Sequence, residues 1–410
     1  MSPINNLWDS KGTPLDRQRF TWKDLVGKPI SKLDDDAFAR VRTILMNGVE
    51  LDSLRVKQVA LRMNGPLRQS LAQLMRIEHH QATLVNWLIG ADHSPIETTI
   101  GYEQTAIEVT ASVAKLESDP YLAQGYRYAL LEDFDHLYRY SALLDRLEGK
   151  DANNITQGYT DIVPARPTLA HHRAPEHDLL EPYGLDASLA TKLHAITLTG
   201  GEYQTHDYYM NIGPLFTDPV ARQLYAEIAS VEAQHITHYG SMINPDESLL
   251  EKMLLQEACE VWNYAACAEQ EDNPRLKAIW ERFLDYELGH MNAVIELFKQ
   301  HERRDPAEIL GDGTLPPRIV FESHREYVRQ VIATEVPLRK DGTKFVSDEA
   351  EEGASSLQYR AQMNSEGSPS ETVSASYRWT AGTELAREPA LVWQPRSAAG
   401  ARYGARLTAG

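Results

Sequence analysis

The chain predicts an all-α protein: two tandem four-helix bundles, a linker between them and a mostly disordered C-terminal tail. Three observations predict this. Helical periodicity dominates from residue 36 to about 303, broken only at 151–186. N-cap residues followed by proline punctuate it. The sequence also repeats itself at long range. The periodic segments are about 36–62, 66–89, 95–117 and 120–148, then 187–211, 219–243, 247–271 and 275–303, with a shorter helix at 322–335. Asp119-Pro120, Asp218-Pro219 and Asn273-Pro274 each place a capping side chain before a proline at the first helical position.

Outside these segments the reading is coarser. Residues 1–35 form a polar N-terminal extension with no sustained period. Residues 151–186, rich in Asn, Pro, His and Gly, read as an inter-domain linker, with His171, His172 and His177 as a mobile surface run. Residues 306–339 read as a short helical extension, and 340–410, rich in Ser, Gly, Glu, Ala and Arg, as a disordered tail.

The repeat carries the most information. A shift of 154 residues places Glu78 on Glu232, Glu103 on Glu257, Pro120 on Pro274 and His136 on His290. A shift of 152 places Ile44, Gly48 and Glu50 on Ile196, Gly200 and Glu202. Amphipathic pattern alone would align Leu with Leu, but not prolines, caps and charged residues. The expectation is therefore one unit at 36–150 and a second copy at 187–305, each a bundle.

Bulk properties exclude some functions. A formal charge of −18 over 410 residues argues against nucleic acid, whose phosphates need Lys and Arg partners. No apolar run is long enough for a membrane span, and no signal peptide is visible, so a cytoplasmic protein is expected. Cys259 and Cys267 lie about 12 Å apart along a helix, too far for a disulfide.

The second unit places acids and histidines in order: Glu202, then Glu232-x-x-His235, then Glu257, then Glu287-x-x-His290. Residues three apart share a helix face, so each Glu-x-x-His pair can serve one cation. Four carboxylates and two imidazoles neutralise two divalent cations inside a bundle. Apolar neighbours, Ile228, Val231 and Ile236 for the first pair and Phe283, Leu284 and Met291 for the second, argue against solvated faces. The first unit keeps Glu50, Glu78, Glu103 and His136, but has Gln81 for His235 and Asp133 for Glu287. It reads as a decayed site, with His79, His80, Glu132 and Asp135 close enough in sequence to substitute.

Across 187–303 the chain resembles the ferritin-like di-iron and di-manganese carboxylate proteins. The resemblance implies that Glu232 and Glu287 bridge two metals, that Glu202 and Glu257 are terminal ligands, and that His235 and His290 bind one metal each. Two iron ions are the implied cofactor, with manganese or a mixed pair as alternatives. Glu260 rivals Glu257 as the ligand on its helix, but its repeat position holds Ala106. Tyr203, Tyr208, Tyr239, Tyr264, Tyr286 and Trp262 read as core packing, and His206, His238 and Asp207 as peripheral. The implied function is an oxidoreductase using O₂ or peroxide. The alternative is a non-catalytic metal store or structural scaffold. No Cys-x-x-Cys pair offers a built-in electron donor, so an external reductant or substrate is expected. Neither a nucleic-acid nor a membrane partner is expected, and a homodimer is the assembly considered.

Overall fold

The computed structural model describes residues 4–348 and 353–384. The N-terminal extension makes a 3₁₀ turn at Leu15–Arg17 and one short helix, α1 (Trp22–Leu25). The first unit follows as α2 (Ala37–Met63), α3 (Arg68–Asn86), α4 (Pro95–Leu116) and α5 (Pro120–Glu148). After the turn α6 (Asn153–Thr156) comes the second unit, α7 (Leu189–Ile212), α8 (Pro219–Gly240), α9 (Leu249–Gln270) and α10 (Pro274–Glu302). The remaining elements are α11 (Ala307–Leu310), α12 (Arg325–Glu335), a hairpin of β1 (Leu338–Asp341) and β2 (Lys344–Ser347), then α13 (Ala354–Met363) and α14 (Pro369–Ser374).

The repeat is visible in local structure. α4 and α9 are both 22 residues long, and α5 and α10 are both 29. Ser94 with Glu97 and Ser248 with Glu251 form equivalent capping boxes. Asp119 accepts from the amides of Tyr121 and Leu122, as Asn273 does from Arg275 and Leu276.

The units do not close on themselves. The α2–α3 hairpin packs with α9–α10, and α4–α5 packs with α7–α8, so each four-helix bundle takes one hairpin from each unit. The two first helices, α2 and α7, run through the centre and cross at their equivalent glycines. A Cβ on Gly48 would lie 3.0 Å from the Gly200 carbonyl oxygen, and one on Gly200 would lie 3.1 Å from that of Gly48. Equivalent pairs lock the exchange in both directions: Arg42 Nε lies 2.9 Å from Glu271, and His194 Nδ1 2.8 Å from Glu117. Backbone against backbone leaves no room for a side chain. Gly200→Leu is therefore expected to cost about 1–3 kcal/mol, measured as a lower chemical denaturation midpoint. An unchanged midpoint would mean that the crossing is not tight.

Two expectations about the flanking segments need correction. Residues 161–178 are not a mobile surface run. His171, His172 and His177 are 0%, 3% and 5% exposed, because this strap lies over the α4–α5/α7–α8 bundle and is tied down by buried ion pairs. The segment 340–384, read as tail, is not disordered throughout. Phe345 of the hairpin packs on Tyr121 and Tyr128, and α14 packs on α5 and α8. Apolar periodicity is too short there to read from sequence, and residues 385–410 lie outside the described residues. Among the described residues no helix is long and apolar enough to cross a membrane.

Candidate metal centre

The exchange of hairpins regroups the acids and histidines. The six residues Glu202, Glu232, His235, Glu257, Glu287 and His290 do not meet at one point. Glu202, Glu232 and His235 join Glu103, Asp133 and His136 from the first unit. Glu257, Glu287 and His290 join Glu50, Glu78 and Gln81. The division into an intact second-unit site and a decayed first-unit site is thus replaced by a division across units. The cause is topological: hairpin exchange swaps partners between repeats, while leaving each helix's own spacing intact.

The first cluster comprises two overlapping groups. Glu103, Asp133, His136 and Glu232 bring ligand atoms within 4.8 Å of one another, as do Asp133, Glu202, Glu232 and His235. Asp133 and Glu232 belong to both. Glu232 presents one oxygen to each imidazole: Oε1 is 3.0 Å from His136 Nδ1 and Oε2 is 3.1 Å from His235 Nδ1. The outer nitrogens are held from behind. His235 Nε2 lies 2.9 Å from Glu132 Oε2, and His136 Nε2 lies 3.1 Å from His171 Nδ1. Glu132 is itself fixed by Arg166 and Arg173 of the strap, at 3.1 and 2.5 Å. Outer partners of this kind set an imidazole's tautomer and orientation at a metal.

Electrostatics show the strain of this arrangement. Burial, together with Glu232 and Asp133, pushes Glu103 well above the usual carboxylate range. Burial and Asp133 do the same for Glu202. Burial opposes ionisation of Glu232, yet His136 and His235 hold it below its ordinary value. His235 is raised in turn by Asp133 and Glu132 against its burial. Glu103 Oε2 and Asp133 Oδ2 are buried without a hydrogen-bond donor. Orphaned carboxylate oxygens converging with imidazole nitrogens are a donor set that fits divalent cations. A narrow cleft between α2, α4 and α7, walled by Ile44, Val109 and Leu198, reaches Glu202. It has room for little more than one water-sized molecule.

The second cluster differs in kind. Gln81 Nε2 donates to Glu50 Oε1 at 3.1 Å and also to Glu287. His290 Nδ1 is 3.0 Å from Glu287, and its Nε2 is 2.8 Å from Gln18 Oε1. Gln18 reaches it because Gly289 lets the N-terminal segment lie against α10, where a Cβ would sit 2.0 Å from the Thr13 carbonyl oxygen. Both Glu257 and its rival Glu260 enter this cluster, and so does the buried Lys57.

Other candidates fall outside the clusters. His206 pairs with the surface Asp207 at 3.1 Å, and His238 turns its Nε2 to the Gly125 carbonyl at 3.1 Å. Tyr203 lies under Arg55, Tyr208 stacks on Tyr102, and the Trp262 indole donates to the Pro316 carbonyl. Tyr286 is bonded to the backbone of Arg19. Tyr239 packs 6.3 Å from the His235 ring, and Tyr264 donates to Glu50. Of the nearby substitutes, Glu132 supports His235 from outside, and Asp135 pairs with Arg139 at 3.0 Å. His79 and His80 appear in neither cluster. Lys57, Tyr209, Arg166, Arg173 and Gln18 are the residues that sequence reasoning did not single out. For Lys57 and Tyr209 the repeat held the signal, because they align with each other.

Fold and site together define a helical protein with two buried carboxylate–histidine clusters that can hold metal. No family model, no curated protein and no solved structure matches the chain.

Proposed function

We propose that the first cluster is a dinuclear metal centre of the ferritin-like carboxylate type, and that the protein is an oxidoreductase acting with O₂ or peroxide. Two iron ions are the proposed occupants, and manganese or a mixed pair suits the same donors. The observation that carries this reading is Glu232, one oxygen on each of two imidazoles whose far nitrogens are anchored. Asp133 and Glu232 would be shared by both positions, Glu103 and His136 would complete one, and Glu202 and His235 the other. Four carboxylates and two neutral imidazoles then balance two divalent charges. Bound iron would supply the reduction of O₂ or peroxide. The chain's own residues hold the donors and exclude bulk water. Tyr209 donates to Glu103, and Glu132 and His171 fix the imidazole tautomers. The narrow cleft at Glu202 suits O₂ or peroxide rather than a bulky molecule. Electrons would come from an external donor.

The test is anaerobic loading of the full chain with Fe²⁺, followed by O₂. A near-ultraviolet charge-transfer band and peroxide turnover with an added reductant are the expected results. Iron uptake without turnover would leave only a metal store, and absence of uptake would end the proposal.

A further inference from the structure

The second cluster has lost an imidazole at Gln81, but it has gained two groups. In the repeat register Lys57 stands where the first cluster has Tyr209, and Glu260 where it has Ala106. The Lys57 ammonium is fully buried, 2.7 Å from Glu78 Oε1, 2.7 Å from Glu257 Oε1 and 3.7 Å from Glu260 Oε2. Glu78, Glu257, Glu287 and His290 gather within 4.8 Å, and they are the repeat mates of Glu232, Glu103, Asp133 and His136. That is one whole cation position of the first cluster. Here a side-chain ammonium lies against two of its four members, Glu78 and Glu257.

The neighbouring position is different. Glu50, Glu260 and Glu287 bring carboxylate oxygens within 4.8 Å of one another. Glu50 Oε2 and Glu260 Oε1 are buried without any hydrogen-bond partner, and so is Gln81 Oε1. The other oxygen of each acid is already served: Glu50 Oε1 by Gln81 and Tyr264, Glu260 Oε2 by Ser53 at 2.7 Å. Over the whole cluster, the five buried carboxylates of Glu50, Glu78, Glu257, Glu260 and Glu287 are accompanied by one ammonium, which pairs with three of them, and by the His290 imidazole, so with every acid ionised a formal excess of at least three negative charges remains. Such an excess has to be relieved, either by protons on the acids or by a cation among them.

We propose that Glu50, Glu260 and Glu287 bind one hard divalent cation, of the Mn²⁺ or Mg²⁺ class, with Lys57 standing permanently in place of a second. The donors around this position are oxygens, the preference of hard cations. Rotating the Gln81 amide would turn its unpartnered oxygen toward the cation in exchange for two donated hydrogen bonds. On this reading the second cluster pairs one metal ion with one ammonium. The inference concerns a different site from the proposed redox centre and stands independently of it.

The experiment uses the full-length chain carrying Glu232→Ala, which disables the first cluster. The protein is stripped with chelator and titrated with Mn²⁺, and free Mn²⁺ is counted by electron paramagnetic resonance. One bound ion is expected. Adding Glu260→Gln should abolish it, and adding Lys57→Met instead should raise the count to two. Circular dichroism reports folding, and where Lys57→Met unfolds, Lys57→Tyr takes its place, since tyrosine is what the repeat position holds. No Mn²⁺ bound by the Glu232→Ala protein, an ion that survives Glu260→Gln, or a count unchanged by the Lys57 substitution overturns the proposal. Failure of the parent chain to take up iron at the first cluster, with this Mn²⁺ ion retained, would sink only the redox reading.

Discussion

Glu232→Ala is expected to remove both iron ions of the first cluster at once, whereas Glu103→Ala or Glu202→Ala weakens one position more than the other. Glu232 is the residue that both candidate positions share and whose two oxygens face different imidazoles. Its loss leaves His136 and His235 each without that partner and removes one of four counter-charges. Iron per chain, measured by plasma mass spectrometry after loading and desalting, should fall by two relative to the parent. The reverse ranking, with Glu202→Ala more damaging than Glu232→Ala, would mean that the shared role is misassigned.

The second large effect concerns stability. Glu132 is buried against Arg166, Arg173 and His235, all of them fully enclosed. Glu132→Ala leaves two interior guanidinium groups without their common carboxylate, and breaking such a buried network costs about 3–5 kcal/mol. The pH dependence follows from the same contacts. Burial opposes ionisation of Glu132, but Arg173 and His171 hold its carboxyl well below the glutamate value of 4.5. A depressed folded value stabilises the fold fully above pH 4.5, and this contribution disappears as pH falls toward the folded value. Denaturant titrations at pH 7 and pH 3.5 should show the parent losing more stability on acidification than Glu132→Gln. Equal losses would show that the network does not hold this strap.

The helices and their boundaries were legible because their signals are local. Asp119-Pro120 and Asn273-Pro274 begin α5 and α10 where the sequence places them. The ligand types were legible for the same reason, since three-residue spacing lies within one helix. Which helices face each other was not legible. Glu232 pairs with His136, 96 positions away in the other unit, as well as with His235 on its own helix, and periodicity carries no information about the distant partner. The glycines at the α2–α7 crossing were seen as repeat matches without their meaning. Only Gly48 against Gly200 shows that the first helices pass backbone to backbone and send each hairpin across to the other copy. The strap was misread because its histidines and arginines are polar. They are buried because they pair with the acids of α5 and α8 and with the strap's own Asp178.

Hairpin exchange has a further consequence for how the two centres can differ. If each unit were a separate, identical polypeptide, two copies associating in this way would make two identical centres, and any substitution would strike both. Covalent continuity lifts that constraint. Here Lys57 alters one centre, while its counterpart Tyr209 leaves the other intact. Neither half of the chain owns a centre, yet the two centres are free to specialise.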